Sequence, residues 1–125
     1  MSNPKYIPGD LVMYDGKICK VEEIKNNYLF KTKNYTLQFP NSNSYSVEEK
    51  DITSIPITPE ILEKNGWKKE NVGYSTKNQD PIFLYKDNGG GWAVEIGDEF
   101  ISVISFVHQL QHLLFGLGLD SNMIV

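Results

Sequence analysis

The sequence predicts an α+β protein: a small β-barrel lobe over residues 1–55, then an α+β lobe over 56–125 with a short helix, an antiparallel hairpin sheet and a C-terminal amphipathic helix. The two lobes are expected to fold as one cooperative unit. Three observations carry this. The first half alternates apolar and polar residues in short runs broken by turn signals. Ile-Pro-Ile-Thr-Pro at 55–59 interrupts that pattern and opens a helix. Near the end, apolar residues recur at helical spacing.

In the first lobe, a strand is expected from Asp10 to Tyr14. Asp15-Gly16 then forms a two-residue hairpin turn, because both positions tolerate positive φ. A second strand runs from Lys17 to Lys25, with Cys19 and Val21 on one face and Ile18, Lys20, Glu22 and Ile24 on the other. Asn26-Asn27 reads as the next turn. A third strand follows from Tyr28 to Lys33, Asn34 breaks it, and Tyr35, Leu37 and Phe39 alternate in a fourth. After the polar loop at 40–44, a fifth strand is expected around Ile52 to Ile55. Five short strands of this kind make a small closed barrel or a curled sheet.

In the second lobe, Thr58 and Pro59 read as N-cap and first residue of a two-turn helix. Gly66 reads as its C′ stop, and Trp67 covers its end. Ile82–Lys86 and Gly91–Ile96 flank the tip Asp87–Gly91 as a hairpin. Gly97-Asp98 turns the chain again into a strand from Glu99 to Ile101. The last helix is expected from Ser102, as its cap, to Phe115, with Ile101 packing on Phe106 as a hydrophobic staple. Val103, Phe106, Val107, Leu110, Leu113, Leu114 and Leu117 would form its apolar stripe.

Composition narrows the function. All twelve basic residues are Lys, against sixteen acids, for a net charge of −4. Residues 1–54 are neutral, so the whole −4 lies in residues 55–125. Neither half is the basic surface that non-specific nucleic-acid binding requires. Without Arg, bidentate recognition of guanine, phosphate or carboxylate by a guanidinium is excluded. Cys19 stands alone, so neither an internal disulfide nor a multi-Cys zinc site is available. The N-terminal MSNPKYIPGD lacks a signal-peptide core, and no run is long enough to span a membrane. A cytoplasmic protein with no membrane partner is expected.

Few side chains read as chemistry. His108 and His112, the two histidines, sit one helical turn apart, as a metal pair would. HQLQH is close to the zinc-protease pattern HExxH, but Gln109 replaces the general-base carboxylate. On the expected stripe, both rings face away from the core of their lobe. The helix carries no formal charge from Ser105 to Leu119. A solvated face usually carries Lys–Glu pairs, so His108, Gln109, Gln111 and His112 are the expected partner-contact surface. Lys31 and Lys33, interleaved with aromatics in YLFKTKNY, are the candidate nucleic-acid contact. DNGGGW is a hairpin tip and not a phosphate loop, since no Lys-Ser/Thr and no helix follow it. No catalytic residue, metal site or cofactor is expected.

PGDLVMYDGKICKVEEI resembles the opening hairpin of SH3-like small barrels, a fold that hosts peptide-binding, nucleic-acid-binding and purely structural roles. DGKICKVEEI, IPITPEILEKNGW and VHQLQ together resemble a family of short bacterial and phage-associated proteins of anaerobic gut bacteria. That resemblance implies no catalytic residue. The expected function is therefore a non-enzymatic interaction or accessory protein, carried by a phage or mobile element. It would bind a protein partner or itself through the neutral helix face. The alternative is a nucleic-acid accessory protein acting through the aromatic/Lys strand.

Overall fold

Asp15 and Gly16 both take positive φ, 50° and 73°, and reverse the chain between β1 (Leu11–Tyr14) and β2 (Lys17–Asn27) as a tight hairpin. The structure is a computed structural model that describes residues 5–27, 32–76 and 81–125. It comprises two units, Met1–Ile55 and Pro56–Val125.

The first unit is a four-stranded antiparallel meander. After β2 come β3 (Thr32–Gln38) and β4 (Ser44–Glu48), in the order β1-β2-β3-β4. Alternation places Val12, Cys19, Val21, Tyr35, Leu37 and Val47 in one buried cluster. Two expectations fail here for one reason. Asn26 and Asn27 were expected to turn, and Asn34 to break a strand, yet all three sit in the β2–β3 ladder as Asn26↔Lys33, Asn27↔Thr32 and Lys25↔Asn34. Cross-strand pairing overrides the weak turn preference of isolated Asn residues. The expected third and fourth strands therefore have no break at Asn34, while residues 28–31 lie outside the described residues.

A bulge supplies the third correction. Val21 pairs with Leu37 and Glu23 with Thr36, so Glu22 is the extra residue in β2. One inserted residue inverts the alternation, and Ile24 turns to the core instead of the outer face. The expected fifth strand shrinks to a 3₁₀ turn, Glu49–Asp51, and a single bridge in which Thr53 and Met13 exchange two main-chain hydrogen bonds of 2.9 Å. The expected closed barrel is thus an open sheet whose chain returns once to the free edge of β1.

The second unit opens on α1 (Pro59–Lys64), capped as the sequence predicts: Thr58 Oγ1 accepts the Ile61 N–H at 3.2 Å, and Pro59 is the first helical residue. At its other end Gly66 takes φ +83°. The Gly66 N–H reaches Glu63 O at 3.1 Å and the Trp67 N–H reaches Leu62 O at 3.0 Å, a Schellman closure. Leu62 and Trp67 are both buried. Two short strands that sequence reading did not fully anticipate, β5 (Lys68–Lys69) and β6 (Tyr74–Ser75), lead into β7 (Ile82–Lys86), β8 (Trp92–Ile96) and β9 (Glu99–Ile104). The sheet is an antiparallel meander in chain order. Tyr74, Ile82, Leu84, Trp92 and Val94 are buried, and the Trp92 indole N–H donates to Ile57 O at 3.1 Å.

The last helix, α2, spans Val107–Gly116 and not Ser102–Phe115. Glu99–Ile104 follows a tight turn at Gly97-Asp98, both at positive φ, and pairs with β8 throughout. The ladder takes the segment that a periodicity count assigned to helix. Phe106, in an extended conformation, is the N-cap, so neither the Ser102 cap nor the Ile101–Phe106 staple forms. No helix among the described residues is long and apolar enough to cross a membrane.

Candidate functional site

Moving the start of α2 from Ser102 to Val107 changes which of its faces is inside. With Val103 in β9 and Phe106 at the cap, the buried apolar residues of the helix are Val107, Leu110 and Leu114. At about 100° per residue these three span about 60°, and the buried arc continues past Val107 to position 111, about 40° on, and to 108, about 100° on. His108 and Gln111 are accordingly buried, each 4% exposed. The expectation that the histidines face away from the core is overturned for His108, whose ring stacks on Phe106 at 5.9 Å with 10° between planes. His112 is half-buried and meets His108 edge-on at 5.6 Å. Among the described residues, no group of three His, Cys, Asp or Glu is arranged to hold a metal ion.

The neutral residues that made this helix unusual serve the fold. Gln109 Oε1 accepts the N–H of Ser105 at 2.7 Å and of Phe106 at 3.0 Å, satisfying donors ahead of the first turn. Gln111 Nε2 donates to Ser121 O at 3.2 Å and holds the segment that follows the helix. A second side chain holds the same segment. Asn65 donates from Nδ2 to Ile124 O at 2.7 Å and accepts the Ile124 N–H on Oδ1 at 2.8 Å, as a neighbouring strand would. Its Nδ2 also reaches Ile61 O at 2.7 Å. Beside this strap lies an open cavity of ≈ 310 Å³ whose lining includes Trp67, Leu114, Leu119, Asp120, Asn122 and Met123. No sequence signal marked Asn65 for this role beyond its place before a helix-ending glycine. Asn65→Ala is expected to lower stability by about 0.5–1.5 kcal/mol, because both Ile124 main-chain groups lose their partner while Ile61 O keeps the Asn65 main-chain N–H. It should also accelerate amide exchange at Ile124 while leaving the first unit unchanged. Unaltered exchange at Ile124 would show that the strap is held by other contacts.

In the first unit, Lys33 lies half-buried on β3, and Lys31 falls outside the described residues. Tyr35, the aromatic two positions on, is fully buried and unavailable for stacking on a base. Cys19 is buried, its Sγ 3.6 Å from Lys17 O, and desolvation raises the thiol pKa, partly offset by Lys17. A thiol held in its protonated form is a poor nucleophile.

The exposed apolar surface lies elsewhere. Pairing places Ser75, Phe83, Tyr85, Ala93, Glu95, Phe100 and Val103 on the outer face of the second sheet, where Ser75 and Ala93 are themselves buried. Val94 pairs with Ser102 and Glu95 with Phe100, so Ile101 is an extra residue in β9. This bulge turns Phe100 to the same face as Val103, although the two are three positions apart. Phe100 is 60% exposed, Ile101 45% and Val103 42%. Tyr85 hydrogen-bonds Glu95 on this face, and burial followed by that carboxylate pushes its phenol pKa upward. Sequence reading missed the patch because it assigned Ser102 and Val103 to the helix. Comparisons with family models, curated proteins and solved structures return no match to this chain.

Proposed function

We propose that this chain is a non-enzymatic interaction protein that docks a protein partner or a second copy through the outer face of its second sheet. The observation carrying the reading is the exposure of Phe100, Ile101 and Val103 side by side on the last strand. Three neighbouring apolar side chains in water are unfavourable at about 25 cal/mol per Å² of removable area, and such patches mark interaction surfaces. The surface expected from sequence, His108 to His112, is less suited to contact, since His108 and Gln111 are buried. An SH3-like ancestry for the first unit belongs to the same proposal. It is supported by the four-strand meander, the 3₁₀ turn and the return of Thr53 to β1. A role as a phage or mobile-element accessory, and a cytoplasmic location, rest on sequence alone.

Phe100→Ser tests the reading. Wild type and variant are compared by sedimentation and by chemical cross-linking in an extract of the native host. The variant is expected to fold normally and to lose a higher-mass species that the wild type forms. The same set of species from both proteins would reject this face as the docking surface.

A further inference from the structure

We propose that the open edge of β9 pairs antiparallel with β9 of a second copy, joining two five-stranded sheets about a two-fold axis. This rests on the docking reading above and commits it to one partner. β9 is the last strand of the sheet, with β8 on one side. Among the described residues, no main-chain hydrogen bond reaches Glu99–Val103 from the other side. The open stretch ends just beyond: Ile57 N–H donates to Ser105 O at 3.0 Å, and Phe106 bridges Pro56.

Edges of this kind are normally blunted by Lys, Pro or a covering loop. β9 carries neither Lys nor Pro. Its exposed apolar residues also lie on the edge strand itself, whereas Phe83 and Tyr85, both on β7 two strands inward, are half-buried. That distribution favours an occupant alongside the sheet over one stacked on its centre.

Register identifies the occupant as another β9. Residues opposite each other in an antiparallel pair share a face. The bulge has put Phe100 and Val103 on one face, so Phe100 of each copy can stand opposite Val103 of the other. The axis then passes between Ile101 and Ser102, and the pairing uses only the open stretch and Ile104. A register centred on Val103 would require Ser105 and Phe106, whose edge is already taken. In the chosen register each Glu99 lies opposite Ile104 of the other copy. The two Glu99 carboxylates are then about 15–17 Å apart at a rise of about 3.3 Å per residue, beyond a Debye length of about 8 Å. Contact is limited to one strand per copy, which places the complex among weak interfaces, in the micromolar range. Because each second unit is acidic, salt should strengthen it.

Sedimentation of the full chain from about 5 to about 500 µM spans that range. Wild type is expected to pass from monomer to dimer, more readily at high salt. Val103→Lys, at an exposed position, is expected to keep its circular dichroism and to weaken dimerisation at least tenfold. Register is read separately by disulfide trapping. Phe100→Cys chains mixed with Val103→Cys chains should cross-link, and each variant alone should not; buried Cys19 does not compete. A wild type that stays monomeric overturns the proposal. So does a dimer indifferent to Val103→Lys, or equally fast trapping in the Phe100→Cys chain alone. If wild type is monomeric but Phe100→Ser still loses a cross-linked species in the host extract, self-pairing fails and docking on this face survives.

Discussion

His108→Glu is expected to destabilise the second unit by about 3–5 kcal/mol, the range for an uncompensated buried charge. His108 is 4% exposed, stacked on Phe106 and in edge contact with His112. A carboxylate there would lose its water without gaining a cation, since α2 carries no basic side chain other than the two histidines. Domain stabilities are typically about 5–15 kcal/mol, so the loss is a large fraction of the total. His112→Glu, one turn on and half-buried, is expected to cost less than about 1 kcal/mol. Urea unfolding followed by tryptophan fluorescence reads this unit alone, because Trp67 and Trp92 are the only two tryptophans and both belong to it. Similar small effects from both substitutions would mean that the helix presents His108 to solvent. In that case, the partner surface expected from His108, Gln109, Gln111 and His112 would be restored.

How far the fold could be read from the sequence depended on how local each signal was. Asp15-Gly16, Gly97-Asp98 and the Thr58-Pro59…Gly66 frame act over a few residues through φ preference and capping, and each appears where it was expected. Both bulges were invisible, because Glu22 and Ile101 are extra only relative to the strands opposite them. Each inverts the alternation on one side of itself, which is how Ile24 was assigned to the wrong face and Phe100 escaped notice as a patch residue. The start of α2 failed through ambiguity of period. Val103 and Phe106 continue the helical stripe of Val107, Leu110 and Leu114, but pairing with β8 placed Val103 in a strand.

That boundary error moved the candidate site. With five residues removed from its front, the helix buries a face that takes in His108, expected to point outward, and Gln111, expected on the flank. The absence of charge on α2 was a sound observation with a different cause. Gln109 and Gln111 satisfy main-chain groups at 105, 106 and 121, which a neutral amide does without burying a charge. The open β9 edge is a property of strand order, which no single-strand pattern encodes.

Tyr35→Phe is the corresponding test of the first unit, and it carries a pH signature. The Tyr35 hydroxyl accepts the N–H of Lys5 at 3.2 Å and of Tyr6 at 3.3 Å, and donates to Glu49 Oε2 at 2.9 Å. It thereby ties the segment before β1, and the 3₁₀ turn after β4, to the middle of β3. The Tyr6 ring packs edge-on against Tyr35 at 5.6 Å, and its own hydroxyl meets Ser54 Oγ at 2.8 Å. Removing one oxygen leaves the buried Tyr6 N–H without its acceptor, at a cost of about 1–3 kcal/mol. Burial foremost, with the Glu49 carboxylate adding to it against the two N–H donors, pushes the phenol from about 10 up to about 12. The folded chain therefore keeps this proton at pH values where the unfolded chain has lost it. The stabilisation is complete below about pH 10 and falls as pH rises toward about 12, by about 1.4 kcal/mol per pH unit for one proton. Far-UV circular dichroism across urea gradients at pH 8, 10 and 11 should show wild type losing stability faster than Tyr35→Phe above about pH 10, so that the two curves converge. All other groups are common to both proteins, so their contributions cancel in the difference. Parallel curves across that interval would mean that Tyr35 titrates as an ordinary phenol and that the hub is open to water.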